Sequence, residues 1–393
     1  MLTRIFQRKT QSTSFIPEID GLRFFAIITV IGYHINTAYA RSLGIDDLGM
    51  SLMGGERNTF SPAWWIIRLD LGVKVFFSIS GMVLAIPFIK SLMSGHYEVN
   101  LKDYYYRRLT RLEPPFILSL IGFYFVHIWF MDADATTFLS HLTAGLFYLH
   151  QIIFGTTNPI NPVTWSLETE AQFYLIIPVF FAFFSRWSNT FIRVLFIVLL
   201  IAGSLFYKNY AYAAEIKWTH ATVLYYLTNF LTGIFFAWLY LSFQSFFKQA
   251  NYKWDFIGIL SIFCLFYFYK PQYQIFNNIA FNVATIGLMT GVFKGNILNW
   301  IFTRPIVYVI GGMCYSIYLL HYAFLHLFTQ LTVGISLGQG YLLDLTIQLL
   351  IALPVVLIIS SIFYLLIEKP CMDKHWPGKL MSWLRNRFSK RLA

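Results

Sequence analysis

Charged residues are scarce in this sequence. Asp, Glu, Lys and Arg together make up 12% of its 393 residues, whereas soluble globular domains carry roughly 25%. Hydrophobic residues account for 57% of the chain and aromatic residues for 20%. Polar residues are too few to cover the surface of a water-soluble protein of this size. The composition therefore excludes a soluble globular protein and predicts that lipid surrounds most of the chain.

Cysteine is rare as well, with only three residues at widely separated positions: Cys264, Cys314 and Cys371. None of them belongs to a Cys-x-x-Cys pair. An odd number of distant cysteines argues against a disulfide framework and against a zinc site, so we expect no metal. Linkers rich in Gly, Ser or Pro are also missing, as are internal repeats. Any chemistry is therefore expected inside the membrane body or at its faces.

The net charge of +11 does not indicate nucleic-acid binding. The basic residues stand at the ends of apolar runs, which is how the orientation of a membrane protein is set. Basic residues cluster in both terminal segments, residues 1–17 and 371–393. We therefore expect both segments to be cytoplasmic tails flanking one membrane domain, residues 18–370. Two cytoplasmic ends require an even number of spans.

Apolar runs of about 20 residues predict an all-α, polytopic membrane protein. Residues 138–154 are also apolar, but they include His141, His150 and Gln151. We interpret that run as a short re-entrant or interfacial helix. Ten other runs are predicted to span the membrane: 21–40, 70–91, 114–131, 168–185, 190–207, 220–240, 255–270, 276–293, 306–329 and 341–367.

The first predicted span carries ionisable residues where lipid is expected. Arg23 and His34 are eleven residues apart, which is three helical turns plus about 20°, so they share one face about 16 Å apart. Asp20 falls close to the same line. Ionisable groups inside spans are costly and suggest function. The alternative interpretation is that Arg23 extends to the membrane surface and that His34 is a core residue with its hydrogen bonds made inside the protein.

Three arginines follow the second span, at positions 107, 108 and 111. Spacings of three and four residues place Arg108 and Arg107 on the same helical face as Arg111. Guanidinium groups donate paired hydrogen bonds to phosphate oxygens, so the cluster suits a phosphorylated ligand. An ordinary cytoplasmic membrane anchor is the alternative.

Two carboxylates, Glu168 and Glu170, enter the fourth span from its outer end. Tyr174 lies one turn beyond Glu170 on the same face, and Trp165 precedes both carboxylates. A buried carboxylate needs a partner, and a histidine is a plausible one. The alternative is a capped helix end in the aromatic belt of the membrane.

The ninth predicted span joins Gly311 and Gly312 to Tyr318 and His321. The glycines allow close approach of another helix. For the tyrosine and the histidine, packing is at least as good an explanation as catalysis. Ser78 and Ser80 of the second span are likewise interpreted as packing residues.

Together these segments resemble the acyltransferase type 3 family of membrane acyltransferases. The matching pieces occur in the family's order and extend over residues 18–370: 19–23 (Ile-Asp-Gly-Leu-Arg) with His34, 75–81 (Val-Phe-Phe-Ser-Ile-Ser-Gly), 106–111 (Tyr-Arg-Arg-Leu-Thr-Arg), 165–174 (Trp-Ser-Leu-Glu-Thr-Glu-Ala-Gln-Phe-Tyr), 315–321 (Tyr-Ser-Ile-Tyr-Leu-Leu-His) and 368–370 (Glu-Lys-Pro). The fourth piece departs from the family's usual Ser-Val-Glu-Glu, because one carboxylate stands upstream at Glu168.

The resemblance implies about ten spans in a bacterial inner membrane. It also implies transfer of an acyl group, here expected to be acetyl, from cytoplasmic acyl-CoA to a carbohydrate hydroxyl. No permanently bound cofactor is expected. The family's functional positions correspond to His34, Arg23, Arg108, Arg111, Glu170 and Tyr174.

A hydroxyl needs a general base to become a good nucleophile. We assign that role to His34, oriented by Glu170, with Arg23 in the same catalytic set. Arg107, Arg108 and Arg111 are expected to hold the phosphates of CoA. The carbohydrate is expected to contact Tyr174, Trp165 and Glu168.

Two other functions fit the sequence less well. A transporter or flippase of an anionic or glycosyl substrate would also carry intramembrane charges, but such proteins often contain an inverted repeat, which this sequence does not show. A non-catalytic sensor or assembly protein would not need an arginine and a histidine three turns apart on one helix face.

Overall fold

The computed structural model describes residues 5–6, 15–55, 58–95, 99–187, 189–216, 222–269 and 274–389. Throughout these ranges the regular structure is helical, without strands, which confirms the all-α prediction. Several basic residues, five of them in the two terminal segments used for the orientation argument, lie outside the described residues: Arg4, Arg8, Lys9, Arg57, Lys217, Lys270, Lys390 and Arg391.

The described part of the chain forms α-helices joined by short loops. In chain order they are α1 Pro17–Ser42, α2 Pro62–Ile67, α3 Leu71–Met93, α4 Leu101–Phe130, α5 Ala135–Leu146, α6 His150–Phe154, α7 Trp165–Ser185, α8 Thr190–Ala213, α9 Val223–Ser242, α10 Gln244–Phe247, α11 Tyr252–Phe268, α12 Ile275–Lys294, α13 Ile297–Phe302, α14 Pro305–Gly312, α15 Cys314–Thr332, α16 Tyr341–Phe363, α17 Lys369–Cys371 and α18 Trp376–Ser389. Single turns of 3₁₀ helix occur at Ser51–Met53, Arg68–Asp70 and Pro162–Thr164, and a π turn at Tyr364–Glu368.

Side-chain caps fix where several helices begin. The side-chain oxygen Oδ1 of Asn100 accepts a hydrogen bond from the backbone N–H of Asp103 at the start of α4. The carboxylate of Asp134 does the same for the Thr137 amide at the start of α5. Such caps satisfy backbone donors that have no partner within the helix.

Among the described residues, seven helical segments are long and apolar enough to cross a membrane. Helices α14 and α15 are bent by 73° and give an eighth span if they count as one. The predicted number of ten stays a prediction, because α1 carries the polar stripe and α11 has only 17 residues. The seven segments are Pro62–Met93, Leu101–Phe130, Pro162–Ser185, Phe191–Ala213, Val223–Ser242, Ile275–Lys294 and Tyr341–Cys371.

Helix α1 lies at the centre of the helix assembly, packed against α3, α14, α15 and α16. More than half of its residues are buried, Asp20 among them, and the Arg23 side chain is largely enclosed by protein. The close packing depends on Gly311 of α14, because a Cβ atom there would collide with the backbone of Asp20. The expectation of close helix approach at the glycine pair is thus confirmed for Gly311.

Helices α3 and α9 form another close contact. A Cβ atom on Gly81 would collide with the Phe230 carbonyl, and one on Gly233 with the Ser78 carbonyl. The Ser78 hydroxyl donates to the carbonyl oxygen of Asn229 at 3.0 Å. Ser78 is therefore a packing residue, as the sequence suggested.

The predicted single helix near 138–154 is two helices, α5 and α6. The chain breaks between them where Tyr148 adopts a left-handed backbone conformation, with φ of 58°. Helix α5 has 12 residues and would be only about 18 Å long. Neither helix is long enough to cross a bilayer, in agreement with a segment that does not span.

The two terminal regions lie on the same face of the molecule. The Lys369 ammonium group donates to the carbonyl oxygen of Ile5. Nearby, the Trp376 indole nitrogen of α18 donates to the Thr110 carbonyl oxygen of α4 at 2.8 Å. This arrangement agrees with an even number of crossings.

Candidate active site

A cavity of about 410 Å³ lies between α1, α3, α4, α7 and α15. Apolar and aromatic side chains form most of its wall. Three arginines and three glutamates also line it, so cationic and anionic groups face one another inside the membrane body. They are Arg23, Arg108, Arg111, Glu113, Glu170 and Glu368.

Arg108 and Arg111 of α4 both line this cavity, as their spacing predicted. The Arg108 guanidinium carbon lies 4.9 Å from the ring centre of Tyr104 and 5.8 Å from that of Tyr174. The Nε atoms of both arginines are buried and have no hydrogen-bond partner among the described residues. Leaving a buried donor without an acceptor is costly, so these donors suit an oxyanion bound in the cavity.

Arg107, the third arginine of the predicted cluster, does not line the cavity. Its guanidinium group pairs with the carboxylate of Asp103 one turn earlier on α4. The Lys374 ammonium group reaches the same carboxylate at 3.9 Å. The structure thus separates Arg107 from Arg108 and Arg111.

Glu170 faces the cavity from α7. Its Oε1 atom accepts a hydrogen bond from the Ser80 hydroxyl of α3 at 2.5 Å. Tyr174, one turn further along α7, lies beside Glu170 and also lines the cavity. Ser80, interpreted from sequence as a packing residue, therefore holds a carboxylate of the site.

Arg23 reaches the cavity from α1. Its Nη1 atom lies 2.6 Å from the Asp20 carboxylate, and its side chain is 13% exposed. It is also within electrostatic range of Glu170. The stripe predicted on α1 is therefore present at the N-terminal end of the helix, with Asp20 as the ion-pair partner of Arg23.

Glu368 is a cavity residue to which the sequence pattern assigned no role. It is fully buried and accepts hydrogen bonds from the Ser316 amide at 3.1 Å and the Ser316 hydroxyl at 2.5 Å. It is also within electrostatic range of Arg111. The available signal was a carboxylate at the end of a long apolar run, in the Glu-Lys-Pro piece.

His34 lies outside the set of residues that line the cavity. Its ring centre is 5.3 Å from that of Tyr33, 5.1 Å from that of His321 and 5.3 Å from that of Tyr322. Its Nδ1 atom is buried without a hydrogen-bond partner in the described part of the chain. The Ser80 hydroxyl is a side-chain partner of Glu170. The predicted pairing of His34 with Glu170 stays a prediction.

His321 is fully buried between His34 and Tyr318. Its Nδ1 atom lies 2.8 Å from the Tyr318 carbonyl oxygen. A carbonyl only accepts, so Nδ1 carries the proton and, in the neutral ring, Nε2 keeps its lone pair. The contact between His321 and His34 could not be predicted from the sequence, because it depends on how α1 packs against α15.

Tyr318 connects the histidine pair to the cavity wall. It lines the cavity, and its ring centre lies 5.5 Å from that of His321. Its hydroxyl donates to the Val163 carbonyl oxygen at 2.8 Å and lies 2.6 Å from the Ser166 hydroxyl. Ring contacts thus run without interruption from the cavity through Tyr318 and His321 to His34.

Glu168 and Trp165 do not line this cavity. The buried Glu168 carboxylate accepts a hydrogen bond from the Gln151 amide at 3.0 Å and so holds α6 against α7. Trp165 packs between the rings of Phe77 and Tyr226 and faces a second cavity. Among the described residues, no group of three or more His, Cys, Asp and Glu side chains would hold a metal ion.

The family model described as "Acyltransferase domain" matches residues 16–365, which include all the cavity and histidine residues described above except Glu368. The chain belongs to this acyltransferase family. In the described part of the chain, the matched domain is built from helices, seven of which are long and apolar enough to cross a membrane.

Its relatives include the peptidoglycan O-acetyltransferase OatA of Listeria monocytogenes, 26% identical over 345 residues that cover 81% of this chain and 50% of the relative. The O-acetyltransferase OatA of Staphylococcus aureus is 26% identical over 348 residues, covering 82% of this chain and 53% of that protein. The chain thus spans about half the length of these curated relatives. No solved structure matches it.

Proposed function

We propose that this protein is a membrane O-acetyltransferase of the bacterial plasma membrane. It moves an acetyl group from cytoplasmic acetyl-CoA to a hydroxyl of a carbohydrate, such as a cell-surface polysaccharide. Family membership supports acyl transfer. The names of the two relatives support acetyl as the group, and the name of the Listeria monocytogenes relative supports a glycan as the acceptor.

The observation that carries the proposal is the pair Arg108 and Arg111, whose buried Nε donors have no partner among the described side chains and backbone. Acyl-CoA carries phosphates on its nucleotide part, and guanidinium groups bind such oxyanions with paired hydrogen bonds. Both arginines lie near the start of α4 and close to Trp376 of the basic C-terminal segment. A cytoplasmic position for that face gives the donor direct access to them.

The thioester end of the donor would extend from the arginines along the cavity toward Glu170 and Tyr318. The wall along this path is mainly apolar and aromatic, which suits the pantetheine arm. A cavity of about 410 Å³ falls within the usual range for pockets that bind small ligands.

In the proposed reaction His34 accepts the proton of the acceptor hydroxyl. The hydroxyl oxygen then attacks the thioester carbonyl carbon and forms the new C–O ester bond. The C–S bond breaks and CoA leaves as a thiolate, which takes up the proton from the imidazole. One acetyl group and one proton are thereby exchanged, without an external oxidant or metal.

The test is a transfer assay with purified protein in lipid nanodiscs, acetyl-CoA labelled in the acetyl group, and soluble peptidoglycan glycan fragments. The expected result is free CoA thiol and labelled glycan in equal amounts. Protein carrying His34→Ala serves as the matched control and should release neither product above background.

A transporter or flippase would give a different result. Reconstituted in vesicles, it would move labelled substrate across the membrane unchanged, with no free CoA formed. Transport of that kind, together with no thiol release in nanodiscs under any acceptor condition, would overturn the proposal.

A further inference from the structure

A second cavity, of about 250 Å³, lies between α3, α7, α8, α9 and α12. It contains two lysines and one aspartate: Lys74 and Asp70 at the start of α3, and Lys208 near the end of α8. Neither the family resemblance nor the reaction proposed above uses these residues. Ionisable residues inside membrane segments are costly to keep and by default suggest a functional site.

Both lysines lie against aromatic rings. The Lys74 ammonium nitrogen is 4.0 Å from the ring centre of Tyr269, and that of Lys208 is 4.8 Å from the ring centre of Tyr225. The Asp70 carboxylate accepts a hydrogen bond from the Tyr269 hydroxyl at 2.6 Å. Two lysines and one aspartate stand in this lining, so its basic side chains outnumber its acidic ones, and an anionic group in the cavity would favour protonated lysines beside it.

The rest of the lining suits a saccharide. Gln274, Asn277 and Asn278 supply amide donors and acceptors for hydroxyl groups. Trp165 and Tyr226 supply aromatic faces, against which the C–H faces of a sugar ring pack. A few polar groups on an aromatic wall are what fix the orientation of a small ligand in a pocket.

The two cavities adjoin each other within the membrane body. Val73 lines both of them. Their common boundary is formed by Phe77, Trp165 and Tyr226, whose ring centres lie 4.8–6.2 Å apart. A ligand in the second cavity is therefore one aromatic layer away from the first.

The second cavity lies toward the opposite face of the membrane from the arginines. Lys74 is near the beginning of α3, and Lys90 near its end is about 24 Å further along the helix axis. Arg108 follows after the end of α3, at the beginning of α4. If the arginines face the cytoplasm, Lys74 and Lys208 face outward, where a surface glycan approaches.

We propose that this second cavity is the acceptor subsite and that it takes a saccharide carrying an oxyanion, either a carboxylate or a phosphate, held by Lys74 and Lys208. This inference rests on the proposed function, because a ligand of this cavity is an acceptor only if the protein transfers acetyl groups. The binding itself is independent of that reaction and is tested separately.

The first experiment measures binding of peptidoglycan glycan fragments to purified protein in nanodiscs, without any donor. Three preparations distinguish the source of the charge: fragments with free carboxylates, the same fragments with the carboxylates converted to amides, and fragments carrying a terminal phosphate. Loss of one charge-assisted contact is expected to weaken binding about 10- to 100-fold.

Lys74→Gln and Lys208→Gln should each weaken binding of the anionic fragments by this factor and leave binding of the amidated fragments unchanged. Lys90→Gln is the matched control, because Lys90 is exposed on the same helix as Lys74. Acetyl-CoA binding by each variant reports on folding, since the arginine cavity is left intact. Lys74→Arg keeps the charge and should retain most of the affinity. It keeps the inference testable should Lys208→Gln fail to fold.

Equal binding of charged and amidated fragments by the wild-type protein would overturn the inference, as would unchanged binding by well-folded Lys74→Gln. In the transfer assay, the lysine variants should raise the acceptor KM and leave the acetyl-CoA KM unchanged. If the wild type binds anionic fragments but transfers no acetyl group, the binding site stands and the proposed function fails. If it transfers acetyl equally well to charged and amidated fragments, the proposed function stands and the anion-binding acceptor subsite fails.

Discussion

The rings of His34 and His321 lie 5.1 Å apart, centre to centre, at the contact between α1 and α15. His34 brings a buried Nδ1 atom, and His321 a buried Nε2 atom, that have no hydrogen-bond partner among the described residues. His321 is held by its other nitrogen to the Tyr318 carbonyl. Two imidazoles placed in this way offer a proton acceptor and a neighbour that fixes its position.

Replacing His34 tests the general base. His34→Ala should reach the membrane at normal abundance and lose about 10²- to 10⁴-fold in activity, the usual size of general-base catalysis. His34→Gln keeps hydrogen bonding but takes up no proton, so it should be nearly as inactive. The wild-type rate should fall as the pH drops through the titration of the base, because protonated imidazole accepts no proton. Near-normal transfer by His34→Gln would move the base elsewhere, with Glu170 next.

His321 tests whether the neighbouring ring positions His34. His321→Gln should lower kcat about 10-fold or more with the acetyl-CoA KM unchanged, since a positioning effect is expressed in the chemical step. The pH profile should shift as well, which a purely structural role would not produce. The exposed His375, after α17, offers His375→Gln as a control with full activity. Full activity of His321→Gln would return His321 to a packing role.

The arginine cluster gives a sharper test than the sequence alone allowed. Arg108→Ala combined with Arg111→Ala should raise the acetyl-CoA KM, because a lost phosphate contact is mainly a loss of binding. Arg107→Ala is the matched control: Arg107 pairs with Asp103 and does not line the cavity, so its donor KM should stay unchanged. Steady-state kinetics over a range of acetyl-CoA concentrations measures both. Altered acceptor preference with an unchanged donor KM would place Arg108 and Arg111 outside the CoA site.

The contact between Ser80 and Glu170 predicts a role for a hydroxyl that the sequence suggested was packing. Ser80→Ala removes a hydrogen bond to a carboxylate, worth about 1.5–3 kcal/mol, and should reduce kcat/KM about 10- to 100-fold. Glu170→Gln should be at least as severe. Ser78→Ala, two residues away, loses a bond to a backbone carbonyl at a helix contact. Ser78→Ala should lower the stability of the protein and leave the turnover of the folded fraction largely unchanged. Equal losses of kcat/KM in Ser78→Ala and Ser80→Ala would contradict the role assigned to Ser80.

Local spacing predicted those parts of the site that lie on a single helix. Arg108 and Arg111 share the cavity because residues three apart on a helix share a face, and the same rule brings Glu170 together with Tyr174. The contact between Asp20 and Arg23 is also of this kind. These pairs depend only on helix geometry, which the apolar pattern already indicates.

Contacts between helices were beyond the reach of the sequence pattern. The bond from Ser80 to Glu170 and the proximity of Glu368 to Arg111 depend on how α3, α4, α7 and the end of α16 pack. Arg107 and Arg108 are neighbours in sequence, but their side chains leave α4 about 100° apart, and Arg107 pairs with Asp103. The predicted count of ten spans stays a prediction at α1, because a helix enclosed by other helices tolerates a polar stripe that a lipid-facing helix would not.

Cysteine labelling tests the orientation. After Cys264, Cys314 and Cys371 are replaced by alanine, single cysteines at Gly95 and Lys379 should react only with a reagent added from the cytoplasmic side. Single cysteines at Asp46 and Thr157 should react from the outside. All four positions are exposed. Labels on opposite sides at Gly95 and Lys379 would remove the model with an even number of crossings and cytoplasmic termini.

The glycine contacts between α3 and α9 predict which small residues the fold depends on. Gly81→Ala and Gly233→Ala each place a methyl group against a backbone carbonyl of the other helix. Neither carbonyl can rotate away as a side chain would, so each variant should lose about 1–3 kcal/mol of stability, as overpacked cores do. Thermal unfolding in detergent, followed by size-exclusion chromatography, measures the loss.

Gly203→Ala provides the matched control for these two variants. Gly203 lies within α8, and a Cβ atom there would meet nothing within 4 Å. Because alanine favours helix over glycine by about 1 kcal/mol, this variant should be at least as stable as the wild type. The same substitution should thus act in opposite directions at Gly233 and Gly203. A wild-type unfolding temperature for Gly233→Ala would show that α3 and α9 are further apart than the structure places them.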